Sequence, residues 1–173
     1  VLNSNPEQWL TTTLYYDERA RVVQSLSDNI SGGTDVVSTK YDFEGKVLST
    51  YTVEHDNLSG VTPETRVLTE YLYDDAGRLL TVKKKLNDAG TSRQIARYAY
   101  DALGRLASKT LGSLETLRYD YNVHGWLRGI NRDYANGSGS HYFGMELDYD
   151  YGFSQQQYTG NIAGQRWRTS GDG

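Results

Sequence analysis

The sequence predicts an all-β fold of antiparallel β-hairpins, repeated along the chain and laid side by side in a curved, twisted sheet. Three observations carry this. A six-residue phrase, Tyr-Asp-x-x-Gly-Arg followed by an aliphatic residue, recurs down the chain. The segments flanking it alternate with period two and are rich in aliphatic, β-branched and aromatic residues. No segment sustains the 3.6-residue apolar period of an amphipathic helix.

The closest copies are Tyr73-Asp74-Asp75-Ala76-Gly77-Arg78 and Tyr100-Asp101-Ala102-Leu103-Gly104-Arg105. Earlier ones are Tyr41-Asp42-Phe43-Glu44-Gly45-Lys46 and, more weakly, Tyr16-Asp17-Glu18-Arg19-Ala20-Arg21. A later, worn copy is Tyr121-Asn122-Val123-His124-Gly125-Trp126. Val22, Val47, Leu79, Leu106 and Leu127 supply the aliphatic residue. The motif tyrosines lie 25, 32, 27 and 21 residues apart, the spacing of a repeat architecture, and a repeated phrase builds a scaffold more readily than an active site.

Each part of the phrase has a physical task. An Asp opening a turn accepts hydrogen bonds from backbone N–H groups a few residues on, and Gly enters positive φ without a Cβ clash. Asp-x-x-Gly therefore reads as a type I turn closed by a left-handed Gly, a common hairpin loop. Arg or Lys begins the return strand, within reach of the Asp. Ala20 lacks the freedom of Gly, so the first turn is expected to be the most altered. Asn122 can still cap the fifth.

Twelve strands follow as hairpins over 9–16/21–27, 35–41/46–54, 66–73/78–86, 93–100/105–111, 115–121/126–132 and 142–150/157–168. The first has Trp9 at its start, and the third and fourth put two Tyr on one face (Tyr71 and Tyr73, Tyr98 and Tyr100). Connections between hairpins carry turn residues: Ser27 to Gly33, His55 to Thr65, Asn87 to Gly90, Gly112-Ser113 and Ala135 to Ser140. The chain thus divides into a lead-in over 1–8, repeat hairpins over 9–134, and a degenerate repeat with a truncated C-terminal hairpin over 135–173. Its two ends read as those of a piece of a larger array, without signal-peptide features in this segment.

Composition narrows the function classes. Hydrophobic residues make up 37% of the 173, too few for a thick core. The 15 Tyr suit a thin, half-wet sheet, with rings buried and hydroxyls reaching water or a partner. A net charge of −4 gives no basis for nucleic-acid binding, and no apolar run approaches membrane-spanning length. Lys83-Lys84-Lys85 reads as a solvated strand end. With no cysteine there are no disulfides or thiolate metal sites.

The repeated phrase, matched closely at Tyr73–Leu79 and Tyr100–Leu106, resembles the signature of the YD-repeat, or RHS (rearrangement hotspot), family. The stretch Phe143 to Gly152 and the stretch Tyr158 to Gly164 are similar to RHS proteins of Bacteroidetes just upstream of the RHS core. The resemblance runs over about residues 9–168. It implies a ribbon of hairpins wound into a spiral shell, part of a large secreted or cell-surface bacterial protein. In bacterial relatives such a shell encloses a C-terminal polymorphic toxin; in the animal teneurins the repeat serves adhesion. The implied partners are the rest of the same polypeptide shell and its enclosed cargo, with self-association through open sheet edges. The family's self-cleavage motif, an Asp beside a Pro, has no match, since neither Pro6 nor Pro63 follows an Asp. Twelve strands at about 4.8 Å make a ribbon roughly 55–60 Å wide, and rolled up without tilt it is under about 20 Å across, a wall segment rather than a container.

The site residues are accordingly structural: Tyr16, Asp17 and Arg21; Tyr41, Asp42, Gly45 and Lys46; Tyr73, Asp74, Gly77 and Arg78; Tyr100, Asp101, Gly104 and Arg105; Tyr121, Asn122 and Gly125. No catalytic residue, cofactor or metal is expected, and the chain reads as no enzyme. Asp148 and Asp150 flank Tyr149 and, in a strand, share a face near Glu146; a hard cation is one reading, solvated carboxylates or partners of Arg166 or Arg168 the other. His55, His124 and His141 lack ligand spacing. Trp126 and Trp167 either pack across strands or stack on sugars, the latter in an alternative reading as an adhesion or carbohydrate-binding module. Asn29-Ile30-Ser31, Asn57-Leu58-Ser59 and Asn136-Gly137-Ser138 match the N-glycosylation pattern and equally read as turns.

Overall fold

A computed structural model of the chain describes residues 9–57 and 64–171. The expected lead-in over 1–8, both prolines, most of the Asn57-Leu58-Ser59 pattern and the last two residues lie outside the described residues. The described chain is all-β, with twelve strands, one helical turn, and antiparallel pairing throughout its hairpins.

The chain forms two compact units, Val1–Ile95 and Ala96–Gly173. In the first, β1 (Thr12–Tyr16), β2 (Val22–Asp28), β3 (Thr34–Tyr41), β4 (Val47–His55), β5 (Glu64–Tyr73) and β6 (Leu79–Leu86) pair in chain order. Strand β7 (Arg93–Tyr100) begins just before the division. In the second unit β7 is followed by β8 (Leu106–Leu111), β9 (Glu115–Tyr121), β10 (Leu127–Ile130), α1 (Arg132–Ala135), β11 (Phe143–Asp148) and β12 (Gly164–Thr169), whose strands again pair in order.

The first five hairpins stand where the phrase predicts them, except that β1 opens at Thr12 and not at residue 9, so Trp9 lies outside it. Their return strands open one residue late, at the aliphatic position, because the preceding residue (Arg21, Lys46, Arg78, Arg105 or Trp126) belongs to the turn. Each turn adds a residue to the ladder, so pairing jumps at its base, as at Tyr16↔Val22 after Tyr15↔Gln24 and at Tyr41↔Val47 after Lys40↔Ser49. Strand β12 starts at Gly164 rather than 157, because residues 149–163 run as an irregular connection, tied down by Gln157 N–H to Tyr149 C=O and Ala163 N–H to Asp148 C=O.

A helical turn stands where the sequence predicts the end of a strand and a loop. Asn131 takes a left-handed backbone, with φ 44, and ends β10. From the end of β10 its buried side chain reaches the two flanking strands: Oδ1 accepts from Arg118 N–H of β9, and Nδ2 donates to Phe143 C=O of β11 and to Glu115 of β9. A short polar residue of this kind visits the left-handed region with little strain. Such a device leaves no period in the sequence.

The core is thin. In the first unit Val82 and Thr69 are buried; in the second, Ala96, Tyr134, Leu147 and Tyr149 are buried beside the polar Asn131, Glu146 and Asp148. Tyr rings and ion pairs therefore carry much of the packing that aliphatic side chains supply in thicker folds.

Candidate functional site: the repeat turns

The five turns share one backbone. Asp17, Asp42, Asp74, Asp101 and Asn122 each donate N–H to the C=O four residues on, at 2.8–3.0 Å. Each also accepts, at its own C=O, the N–H three residues on, at 2.9–3.3 Å. The last-mentioned donor is at positive φ in every copy: Ala20 58, Gly45 97, Gly77 77, Gly104 80 and Gly125 81. The expectation for the first turn is thereby corrected. Ala20 adopts the strained region and the turn keeps both hydrogen bonds at 3.0 Å, held by the Asp17 side chain. Asp17 Oδ1 accepts from the N–H of Arg19 and of Arg21, both at 2.9 Å; Asp74, Asp101 and Asn122 do the same two and four residues on.

The second carboxylate oxygen takes the basic residue. Arg21, Arg78 and Arg105 each place Nε 2.7 Å from Oδ2 of their own Asp. Lys46, a point charge without a fork, stands 3.9 Å from Asp42 and pairs instead with Glu44. The Arg21 backbone N–H foremost holds the Asp17 carboxyl below the usual carboxylate range, and Arg78 N–H does so for Asp74, against a smaller upward push from desolvation. For Asp101 desolvation pushes upward most strongly, but the Arg105 side chain and the Arg105 and Leu103 N–H groups together outweigh it and lower the pKa.

One copy also grips the next. The motif hydroxyl of Tyr41 donates to Val22 C=O at 2.9 Å, Tyr73 to Val47 C=O at 2.9 Å, and Tyr121 to Leu106 C=O at 3.0 Å. In each case the acceptor is the aliphatic residue of the preceding copy. In two of the three pairs the basic residue of the preceding copy also covers the ring, with the Arg21 guanidinium 4.8 Å from the Tyr41 centroid and Arg105 4.7 Å from Tyr121. Arg21 further donates to Asp42 C=O of the next turn at 2.9 Å. The aliphatic stem of Lys46 lies where a Cβ on Gly77 would stand, 2.9 Å away, so glycine here serves close approach as well as φ.

The same grip reveals a sixth copy that the phrase alone does not mark. Tyr149 hydroxyl donates to Leu127 C=O at 2.8 Å, and Trp126, in the place of Arg, lies 5.3 Å from the Tyr149 ring. The available signal is Tyr149-Asp150, 28 residues after Tyr121 (149 − 121) and within the span of the other intervals. Tyr16 opens the series and is 57% exposed. Among the described residues its hydroxyl has no hydrogen-bond partner.

The remaining candidates lie elsewhere. Asp148 and Asp150 do not share a strand face, because β11 ends at Asp148; Asp150 is exposed and Asp148 fully buried. Arg166 bridges the carboxylates of β11, Nε at 3.5 Å from Glu146 and Nη2 at 3.6 Å from Asp148, while Arg168 lies over the Tyr134 ring. Arg132 also pairs with Glu146. Its hydrogen bond and that of Asn136 lower the Glu146 pKa against a larger upward push from burial. Of the alternatives read from the sequence, Asp148 is the partner of Arg166 and not a solvated carboxylate, whereas Asp150 is exposed.

His55 pairs with Glu64, His141 lies 3.2 Å from Glu115, and His124 stacks on Trp126 at 4.8 Å. Trp126 is therefore packed between two rings, whereas Trp167 is 59% exposed on β12. Asn29 and Asn136 act as turn residues: Asn29 Oδ1 accepts from the N–H of Ser31 and Gly33, and Asn136 donates to Arg132 C=O. Among the described residues no three His, Asp or Glu are grouped to hold a metal, and no helix is long and apolar enough to cross a membrane.

No family model and no curated protein matches the chain. It is similar to several solved structures. A crystal structure of TcdB2-TccC3-TEV is 15% identical with a TM-score of 0.44, the match covering 94% of this chain and 9% of that one. A Photorhabdus luminescens Tc holotoxin pore is 16% identical with a TM-score of 0.46, covering 92% and 9%. TcdB2-TccC3 without its hypervariable C-terminal region is 13% identical with a TM-score of 0.42, covering 82% and 10%. The chain spans about a tenth of the length of these chains.

Proposed function

We propose that this chain is a non-catalytic segment of an RHS/YD-repeat shell. The shell belongs to a large secreted or surface bacterial protein and encloses a C-terminal polymorphic toxin. The observation that carries the reading is the grip of one copy on the next at Tyr41, Tyr73, Tyr121 and Tyr149, Tyr hydroxyl to aliphatic carbonyl, with Arg21, Arg105 or Trp126 against the ring in three of the four. The residues of the phrase are used up in this grip. Asp closes the turn, Arg binds both the Asp and the next Tyr, and neither is left free for substrate. What such a construction offers is a wall, extended by adding copies.

The test is protease protection in the full-length protein. A C-terminal segment that resists trypsin while the intact shell stands, and is digested once the shell is opened by urea, supports the reading. A C-terminal segment cut as fast in the native protein as in the opened one contradicts it.

The second reading, a carbohydrate-binding or adhesion module, has its own observation. A hollow of about 370 Å³ in the second unit is lined by Tyr121, His124, Arg128, Tyr149, Asp150 and Tyr151, beside Trp126. Rings next to planar polar groups suit sugars. Binding on a glycan array that is lost in Tyr151→Ala with the fold retained would favour it, and no binding across a broad array would count against it.

A further inference from the structure

The lysine run that reads from the sequence as a solvated strand end lies against a hollow. In the first unit a space of about 650 Å³ opens beside the end of β6 and the start of β7. Its apolar wall is aliphatic, made of Val67, Leu86, Ala89 and Ile95. Val67 and Leu86 are register partners and so share a face of the sheet. Leu86 is 58% exposed and Ile95 39%, apolar surface left open to solvent.

The loop that follows β6 is drawn onto β5 and β4. Asn87 N–H donates to Arg66 C=O at 2.7 Å, and Asn87 Oδ1 accepts from Arg66 N–H at 2.9 Å. Asp88 accepts from the Tyr51 hydroxyl at 2.8 Å. Both Asn87 and Asp88 take left-handed backbone, with φ 49 and 54. Two successive non-glycine residues held there mark a backbone over-determined by its surroundings, and strain of this kind clusters at ligand sites.

The polar side chains of the hollow are cations. Lys84, Lys85 and Arg93 line it, with Thr91 the one neutral polar group. Among the described residues none of the three cations is ion-paired, and the loop's own carboxylate, Asp88, is engaged by Tyr51 and Arg66. This is a local positive excess in a chain of net charge −4.

Such a lining selects its ligand by chemistry. Unpaired cations take an anionic group. No aromatic ring is present for a sugar or a base to stack on. No side-chain amide or carboxylate is present to accept from the N–H groups of a peptide. An aliphatic chain with an anionic end satisfies both the wall and the cations. We propose that this hollow binds a single-chain alkyl carboxylate, its chain against Val67, Leu86, Ala89 and Ile95 and its head among Lys84, Lys85 and Arg93. The site goes beyond the shell reading and stands or falls separately from it.

Calorimetric titration of the full chain with octanoate and dodecanoate, each dissolved below its micelle-forming concentration, tests this. A fully buried methylene is worth roughly fourfold in affinity, so a chain half sheltered in an open hollow gains about twofold per methylene. Over its four extra methylenes dodecanoate is expected to bind about sixteenfold tighter than octanoate. Lys84→Gln/Arg93→Gln is expected to weaken dodecanoate about fivefold, the worth of two exposed charge contacts. Lys40→Gln, which removes an exposed lysine of β3 in the same unit, should leave binding unchanged. All three substituted side chains are exposed, so the fold should be retained, which circular dichroism checks.

Equal affinity for the two acids overturns the proposal, because the chain would then contribute nothing. So does a double variant that binds dodecanoate like the wild type. A Lys40→Gln variant weakened as much as the double variant also overturns it, since a charge anywhere would then serve. Binding to phosphatidylserine vesicles without binding of dissolved dodecanoate would assign the lysines to a membrane surface and likewise overturn it.

Discussion

Ala20 sits at φ 58, where the other repeat turns hold glycine. An L-residue with a Cβ is strained there by about 1 kcal/mol. Ala20→Gly is therefore expected to leave stability unchanged or raise it by up to about 1 kcal/mol, since the relief is partly offset by the greater freedom of Gly in the unfolded chain. The reverse experiment is Gly104→Val. With φ 80 and a β-branched side chain it is expected to lose about 2 kcal/mol or more and to disturb the fourth hairpin selectively. Urea denaturation of both variants, with amide exchange across 97–111, measures this. Wild-type stability in Gly104→Val would remove the turn from the account.

The turn is also a charged element, and its pH dependence has a definite sign. Asp17, Asp74 and Asp101 titrate below their ordinary value in the folded chain. A group lowered on folding contributes stability that is complete above its unfolded pKa, near 3.9, and is lost as the pH falls from there through the folded value. Stability is expected to be flat for these groups from pH 7 down to about 5 and to fall below about 4. Asp101→Asn should be less stable at pH 7 and show a shallower acid loss, which urea titrations at pH 6 and pH 3 would reveal. A variant with the same acid slope as the wild type would contradict the assignment.

How much of this was legible in the sequence depends on where the information lay. Turns closed by Asp and Gly are local, so five hairpins could be read from the phrase alone, and Arg105 bonding to Asp101 follows from spacing. Non-local facts were hidden. That the Tyr121 hydroxyl reaches Leu106 C=O requires the register of β8 on β9, and a backbone acceptor has no sequence signature. Asn131 ending β10 is likewise a product of tertiary placement, whereas Arg166 was already a candidate partner of Asp148 in the sequence and only its reach to Glu146 was hidden. The sixth copy could have been read from Tyr149-Asp150, had spacing been weighed above the missing Gly-Arg.

At the scale of the molecule, few apolar side chains are buried, so discrete polar ties carry unusual weight. In the second unit the buried Asp148 has Arg166 as its only ion-pair partner among the described residues. Asp148 is fully buried while Arg166 is half-exposed, so removing the arginine leaves a buried carboxylate without its only counter-charge among the described residues, at a cost discounted by the solvent around Arg166. Arg166→Met is expected to cost about 1–2 kcal/mol, between the worth of an exposed pair and that of a buried one, with Arg166→Met/Asp148→Asn recovering a large part. Chemical denaturation of the single and double variants checks this, and equal losses in both would show that Asp148 does not need its arginine.

The proposed shell depends on neighbouring copies holding each other through their tyrosines. The most direct measurement is the urea stability of the triple variant Tyr41→Phe/Tyr73→Phe/Tyr121→Phe beside Tyr119→Phe, which alters a tyrosine outside the phrase. Three separate hydrogen bonds at about 1 kcal/mol each should cost the triple variant about 3 kcal/mol, with Tyr119→Phe within about 0.5 kcal/mol of the wild type. A triple variant as stable as the wild type, or no less stable than Tyr119→Phe, would show that the phrase closes turns but does not join one copy to the next.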